Sequence, residues 1–169
     1  MRHNIPLIPA ELMGWYFNLL VPKKDANLFY KVRMGPMPSA GYGTQLREKE
    51  PANKMFKEMK IPLRMDWRLI NEFKNLKDFK KYLAKVERRN VDIVACFSYG
   101  KLYNTAYLGG HTTVVDKIYI SKNKIRLIDP DQDVAKWNTV SIPKLYRAMI
   151  FHGSKNHAGF WEFSYQKRK

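Results

Sequence analysis

At 169 residues, 45% hydrophobic and 14% aromatic, the chain has the size and apolar content of one folded domain, which excludes disorder throughout. Lys and Arg number 31 against 15 Asp and Glu, a formal net charge of +16 that attracts nucleic acid, acidic protein or anionic lipid. The single cysteine, Cys96, excludes a disulfide framework within the chain and a zinc site built on cysteines.

The basic residues spread along the chain, so a solubilising surface competes with a nucleic-acid-binding surface as their explanation. Gln166-Lys167-Arg168-Lys169 is the exception, and it reads as a solvated basic tail (166–169) behind a single domain over 1–165. Met1-Arg2-His3-Asn4 opens no secretory signal, because Pro6 and Pro9 interrupt the apolar stretch behind it. No apolar run reaches the roughly 20 residues a membrane span needs, and the default compartment is the cytoplasm.

Pro9 suits a first helical turn, and the spacing of Leu12, Tyr16, Leu19 and Leu20 predicts a helix over 10–20, ended by Val21-Pro22. Residues 35–43, rich in Gly and Pro, form a loop. A short helix follows over 51–59 and a strand over 61–67. The clearest helix runs over 72–89: Phe73, Leu76, Phe79, Leu83 and Val86 make a buried stripe, with Lys74, Lys77, Lys81, Lys85 and Arg88 mostly away from it. That basic face is either a phosphate-binding surface or a solvated helix face.

Val91 to Ser98 is apolar and β-rich, as a buried strand should be. Residues 112–120 and 124–128 flank the turn Ser121-Lys122-Asn123 and predict a hairpin. Ser141 is placed to cap a short helix to Met149, with Pro143 in its first turn. Residues 159–165 alternate aromatic and polar side chains and read as a final strand. Helices first and strands later indicate an α+β domain with a largely antiparallel sheet.

The chemistry concentrates in the hairpin. Gly109-Gly110-His111 opens one strand and Asp129-Pro130 closes the other. A carboxylate that fixes the tautomer of an imidazole and stabilises its protonated form is the base pair of many acyl-transfer enzymes. Two glycines before the histidine leave room for a substrate. The same two residues also make purely structural hydrogen bonds in many proteins. A regular hairpin would set His111 nearer Asp131 or Asp133 than Asp129, so twist or a bulge must close the gap.

The segments Gly110-His111-Thr112-Thr113-Val114-Val115 and Ile125-Arg126-Leu127-Ile128-Asp129-Pro130 resemble the His and Asp-Pro motifs of the bacteriocin-processing leader peptidases, papain-like cysteine peptidases of family thirty-nine. The strand 91–98, the helix before it and Val140-Ser141-Ile142-Pro143-Lys144-Leu145 fit the same pattern. The resemblance implies a papain-like fold, N-terminal helices packed on a C-terminal antiparallel sheet. It carries the base to His111 and its acid to Asp129.

In that family the nucleophilic Cys starts the first helix. Here Leu7-Ile8-Pro9-Ala10-Glu11-Leu12 keeps Pro9, Ala10 and Leu12, but Leu7 stands at the position of the Cys, and the oxyanion-hole Gln falls at Met1. Leucine forms no thioester, so the implied activity is absent: a non-catalytic domain holding a peptide or protein segment in a cleft near Gly109, Gly110, Tyr42 and Trp15. Two other readings stay open. One is a basic nucleic-acid-binding module, motivated by charge and interspersed aromatics. The other is an active peptidase or amidase using Cys96 or a serine such as Ser39. His152 and His157, with Asn156 between them, have no accompanying ligand set, so neither metal nor cofactor is expected.

Overall fold

The computed structural model describes residues 15–17, 20–23, 33–34, 36, 49–89, 91–131 and 133–166. They belong to two compact units: Met1–Met65 with Tyr165–Lys169, and Asp66–Ser164. Each is described by itself.

In the first unit, Trp15 and Tyr16 are helical, whereas Leu20–Val21 (β1) is a two-residue strand parallel to Arg33–Met34 (β2). The helix expected over 10–20 therefore does not reach Leu20. Val21 precedes Pro22, and the proline ring pushes its neighbour out of the helical region into extended conformation. Helix α1 covers Lys49–Glu58 and buries Ala52, Met55 and Phe56. Asn53 on α1 accepts from the Met65 amide (2.8 Å) and donates to the Met65 carbonyl (3.0 Å). The Gln166 amide donates to Pro62 O at 2.8 Å, so the first residue of the basic tail is tied by its backbone; 167–169 lie outside the described residues.

The sheet is six-stranded, in the order β3-β8-β4-β5-β6-β7: β3 is Leu63–Leu69, β4 Val91–Ser98, β5 Gly110–Tyr119, β6 Lys124–Ile128, β7 Trp137–Ser141 and β8 Gly159–Tyr165. The pairs β4–β8, β4–β5, β5–β6 and β6–β7 are antiparallel. In the second unit α2 (Leu76–Glu87) and α4 (Ile142–His152) bury Phe79, Leu83, Leu145, Ala148 and Met149 in one core with Ile93, Ala95, Phe97, Ile125 and Leu127 of the sheet. Both helices start where local chemistry dictates. The Asn75 side chain accepts from the Asp78 amide (3.0 Å) and Ser141 Oγ from the Lys144 amide (3.3 Å), each satisfying an orphan donor of the first turn. Phe79 stacks on Phe160 at 5.3 Å and meets Phe73 edge-on at 5.1 Å, fixing helix to sheet.

Every element expected between 51 and 165 is present, within a few residues of its bounds. The α+β class with a largely antiparallel sheet therefore stands. Besides the short 3-10 turns Ile70–Glu72 and Ser154–Asn156, two elements are additional. Tyr99–Tyr103 forms a short helix, α3, directly after β4, and Trp137–Ser141 adds the edge strand β7. Among the described residues no helix is long and apolar enough to cross a membrane.

Candidate functional site

The site is built on β5 and β6, and the register of that pair decides its geometry. Next to the turn, Tyr119 pairs with Lys124, Ile118 with Ile125 and Lys117 with Arg126; beyond it, Val115 pairs with Leu127 and Val114 with Ile128. One extra residue, Asp116, is thus inserted in β5. Side chains alternate with period two, so this bulge flips the face of everything beyond it. Without it Asp129 would lie on the face of Val114. With it Asp129 shares the face of Thr113, and His111 stands diagonally across, within reach of a long side chain. Ile118, Thr113, Ile125, Leu127 and Asp129 are all buried, as one shared face requires.

His111 Nε2 lies 2.7 Å from Asp129 Oδ1. The Asp129 side chain is 0% exposed and that of His111 17%. A carboxylate only accepts, so Nε2 carries the hydrogen and Nδ1 is the nitrogen left for another partner. Asp129 accepts two further bonds, from the Tyr103 hydroxyl to Oδ2 (2.5 Å) and from the Asp131 amide to Oδ1 (3.0 Å). Its own amide donates to Lys136 O at 2.9 Å. A buried carboxylate with three donors is thereby satisfied, which burial of a charge demands.

Helix α3 supplies the tyrosine. It is held by the Tyr99 amide donating to Gly109 O (3.0 Å) and ends on Asn104 in the left-handed region (φ 59°). Tyr99 and Tyr103, one turn apart, meet edge-on at 4.8 Å. Tyr99 also stands edge-on to the His111 ring at 5.0 Å. Desolvation first, and then the bond to Asp129, push the Tyr103 hydroxyl's pKa well above its ordinary value.

The space a side chain would need at Gly109 is taken by the Tyr107 ring, 2.2 Å from a built Cβ, and that at Gly110 by the His152 imidazole, 2.6 Å away. The room expected beside the two glycines is therefore filled by two aromatic walls; Tyr107 is itself 59% exposed. Burial lowers the pKa of His152. His157 instead meets Trp67 edge-on at 4.7 Å, and Asn156 donates to the His152 carbonyl at 2.7 Å. Among the described residues no three His, Cys, Asp or Glu side chains are grouped to hold a metal ion.

Cys96 pairs with Thr112 and Phe97 with His111, so the thiol lies on the sheet face opposite the imidazole. Burial pushes its pKa up to about 12. The thiolate is the reactive form, so iodoacetamide should leave Cys96 of the folded protein unlabelled at pH 8 and modify it once urea unfolds the chain. Mass spectrometry reads this directly, and rapid labelling in buffer would contradict the burial. Ser98 Oγ donates to Leu108 O at 3.3 Å.

Trp15 belongs to the first unit, where it stands edge-on to Tyr16 at 4.8 Å and lines a groove with Glu50, Pro51, Asn53, Lys54 and Lys57. Leu7, Ser39 and Tyr42 lie outside the described residues. Of the residues singled out in the sequence, the fold thus joins His111, Asp129, Gly109 and Gly110. It adds Tyr99, Tyr103 and Tyr107, and brings in Asp131 and His152, which the sequence offers in other roles. The tyrosines had one legible signal, their spacing of four in Tyr99-Gly100-Lys101-Leu102-Tyr103, but that run is too short to announce a helix.

The chain is thus an α+β protein with a His–Asp pair, its carboxylate buried and its imidazole partly open, at the mouth of an antiparallel hairpin. No family model matches it, and no curated protein gives a significant match.

Proposed function

We propose that the chain is a papain-like domain that binds an extended peptide or protein segment at His111 without cleaving it. The observation that carries this reading is the His111–Asp129 pair, 2.7 Å apart, with the carboxylate fully buried and the imidazole partly open. The pair orients a hydrogen-bonding imidazole, and the sequence has Leu7 where the peptidase resemblance calls for a thiol. Hydrolysis through an acyl-enzyme needs that nucleophile, and losing one member of such a constellation removes orders of magnitude in rate. Binding does not need it: a main-chain amide can bond to Nδ1 while its side chains rest on the tyrosines around it.

The test is a fluorescent peptide library screened by anisotropy, with a thiol-reactive probe and a turnover assay alongside. Selected peptides are expected to bind intact, and His111→Ala to weaken them about tenfold, equivalent to about 1.4 kcal/mol. Cleavage of any peptide that stops on His111→Ala, or His111-dependent covalent labelling, would overturn the reading.

A further inference from the structure

On α2, away from the His111 site, a groove of about 460 Å³ runs between the helix and the end of β5. It is lined by Leu76, Lys77, Lys80, Lys81, Ala84 and Ile120. Positions 76, 80 and 84 succeed one another by four, and 77 and 81 flank them, so five lining residues form one face of a single helix. Its floor is aliphatic (Leu76, Ala84, Ile120) and its rim is ammonium.

We propose that this groove docks an acidic amphipathic helix of a protein partner. Charge carries the assignment first. Lys77, Lys80 and Lys81 have no carboxylate partner among the described residues, and no acidic side chain lines the groove. Asp78, the nearest acid in sequence, is turned to the helix start, where it accepts from the Lys74 amide at 3.3 Å. Lys77, Lys81 and Lys85 continue the row at intervals of four residues, about 6 Å along the axis, the spacing at which Glu side chains recur on one face of a partner helix.

The floor then selects among anionic partners. Single-stranded nucleic acid is held by aromatic stacking as well as cations, and this groove contains no aromatic ring and no arginine. An anionic membrane takes up apolar groups that protrude, whereas here they lie below the lysines in a concavity. A helix with leucines between its acids fills the floor and meets the rim together.

The experiment uses the full chain and a labelled helical peptide with Glu at i, i+4 spacing on one edge and Leu on the adjoining face. Comparison ligands are an oligothymidylate and vesicles of phosphatidylcholine with phosphatidylserine. The peptide should bind more tightly than either at physiological salt. Lys77→Glu with Lys81→Glu, two exposed changes, should weaken it about tenfold or more, since two attractive charge contacts become repulsive. Ala84→Gln, which crowds the floor yet suits a helix, should weaken it several-fold. His111→Ala should leave it unchanged, which separates this groove from the peptide site at His111. No measurable peptide binding, binding indifferent to the lysine pair or to Ala84, loss on His111→Ala, or tighter binding of DNA or vesicles would each overturn the assignment. Circular dichroism of every variant checks that the fold persists.

Discussion

Asp129→Ala is expected to lower the free energy of unfolding by about 3 kcal/mol, more than any other change at the His111 site. The carboxylate is fully enclosed and receives the His111 ring N–H, the Tyr103 hydroxyl and the Asp131 amide. Alanine leaves three donors facing an apolar methyl in a space water does not freely enter. Each orphaned donor forfeits its desolvation free energy, which is why the cost exceeds that of an average hydrogen bond.

Asp129→Asn separates charge from shape. The amide keeps one acceptor oxygen but turns an NH2 toward a group that also donates, so a cost of about 1–2 kcal/mol is expected. Tyr103→Phe, which removes only the bond to Oδ2, should cost about 1 kcal/mol. Urea titrations followed by tryptophan fluorescence give all three. A cost below about 1 kcal/mol for Asp129→Ala would mean the carboxylate is not the buried acceptor described. Because the carboxylate also sets which imidazole nitrogen carries hydrogen, nitrogen NMR should show the Nε2–H tautomer of neutral His111 giving way to a mixture in Asp129→Ala.

Elements whose cause is local were legible in the sequence. Ser141 announces its helix because a cap is one side chain bonding to an amide three residues on; Asn75 does the same for α2, though the apolar stripe alone places that start at 72. Val91–Ser98 and Gly159–Tyr165 announce themselves by apolar and aromatic runs, and the hairpin by its turn. Elements with a distant cause were not. Trp137–Ser141 has one buried apolar residue, Val140, and is a strand because β6 offers it a ladder. Tyr99–Tyr103 lacks a capping bond from Ser98 and depends instead on Gly109 O, which arrives from the next loop.

The candidate site divides in the same way. The pairing of His111 with Asp129 rests on a bulge at Asp116. That bulge has a trace in the sequence: the polar dipeptide Asp116-Lys117 breaks the alternation, and burial passes from Thr113 to Ile118, a five-residue step no regular strand makes. Read with that break, the register brings Asp129 to the right face; read as a uniform hairpin, it does not. The Tyr103 hydroxyl could not be foreseen, because nothing within α3 directs it toward residue 129.

The second large effect is expected at Gly159, which belongs to neither proposed site. This residue opens β8 with φ +137°, a conformation that side chains rarely adopt. A Cβ there would sit 2.2 Å from Arg68 O and 2.9 Å from Leu69 Cα, both main-chain atoms of β3. Neither can swing aside as a side chain would. The Ile70 amide donates to Ala158 O at 2.8 Å, so β3 is pinned where the new methyl must go. Gly159→Ala should therefore cost about 3 kcal/mol or more, through strain at φ and displacement of the strand together. Gly153 supplies the control. It also has a positive φ, +80°, but a Cβ built on it meets nothing within 4 Å. Gly153→Ala bears only the conformational cost of leaving a region (φ 80°, ψ 154°) that glycine alone commonly visits, about 1–3 kcal/mol. Thermal unfolding of the two variants reads the difference, with Gly159→Ala melting well below Gly153→Ala. Equal melting temperatures would show that the contact between β3 and the start of β8 is looser than the 2.2 Å approach implies.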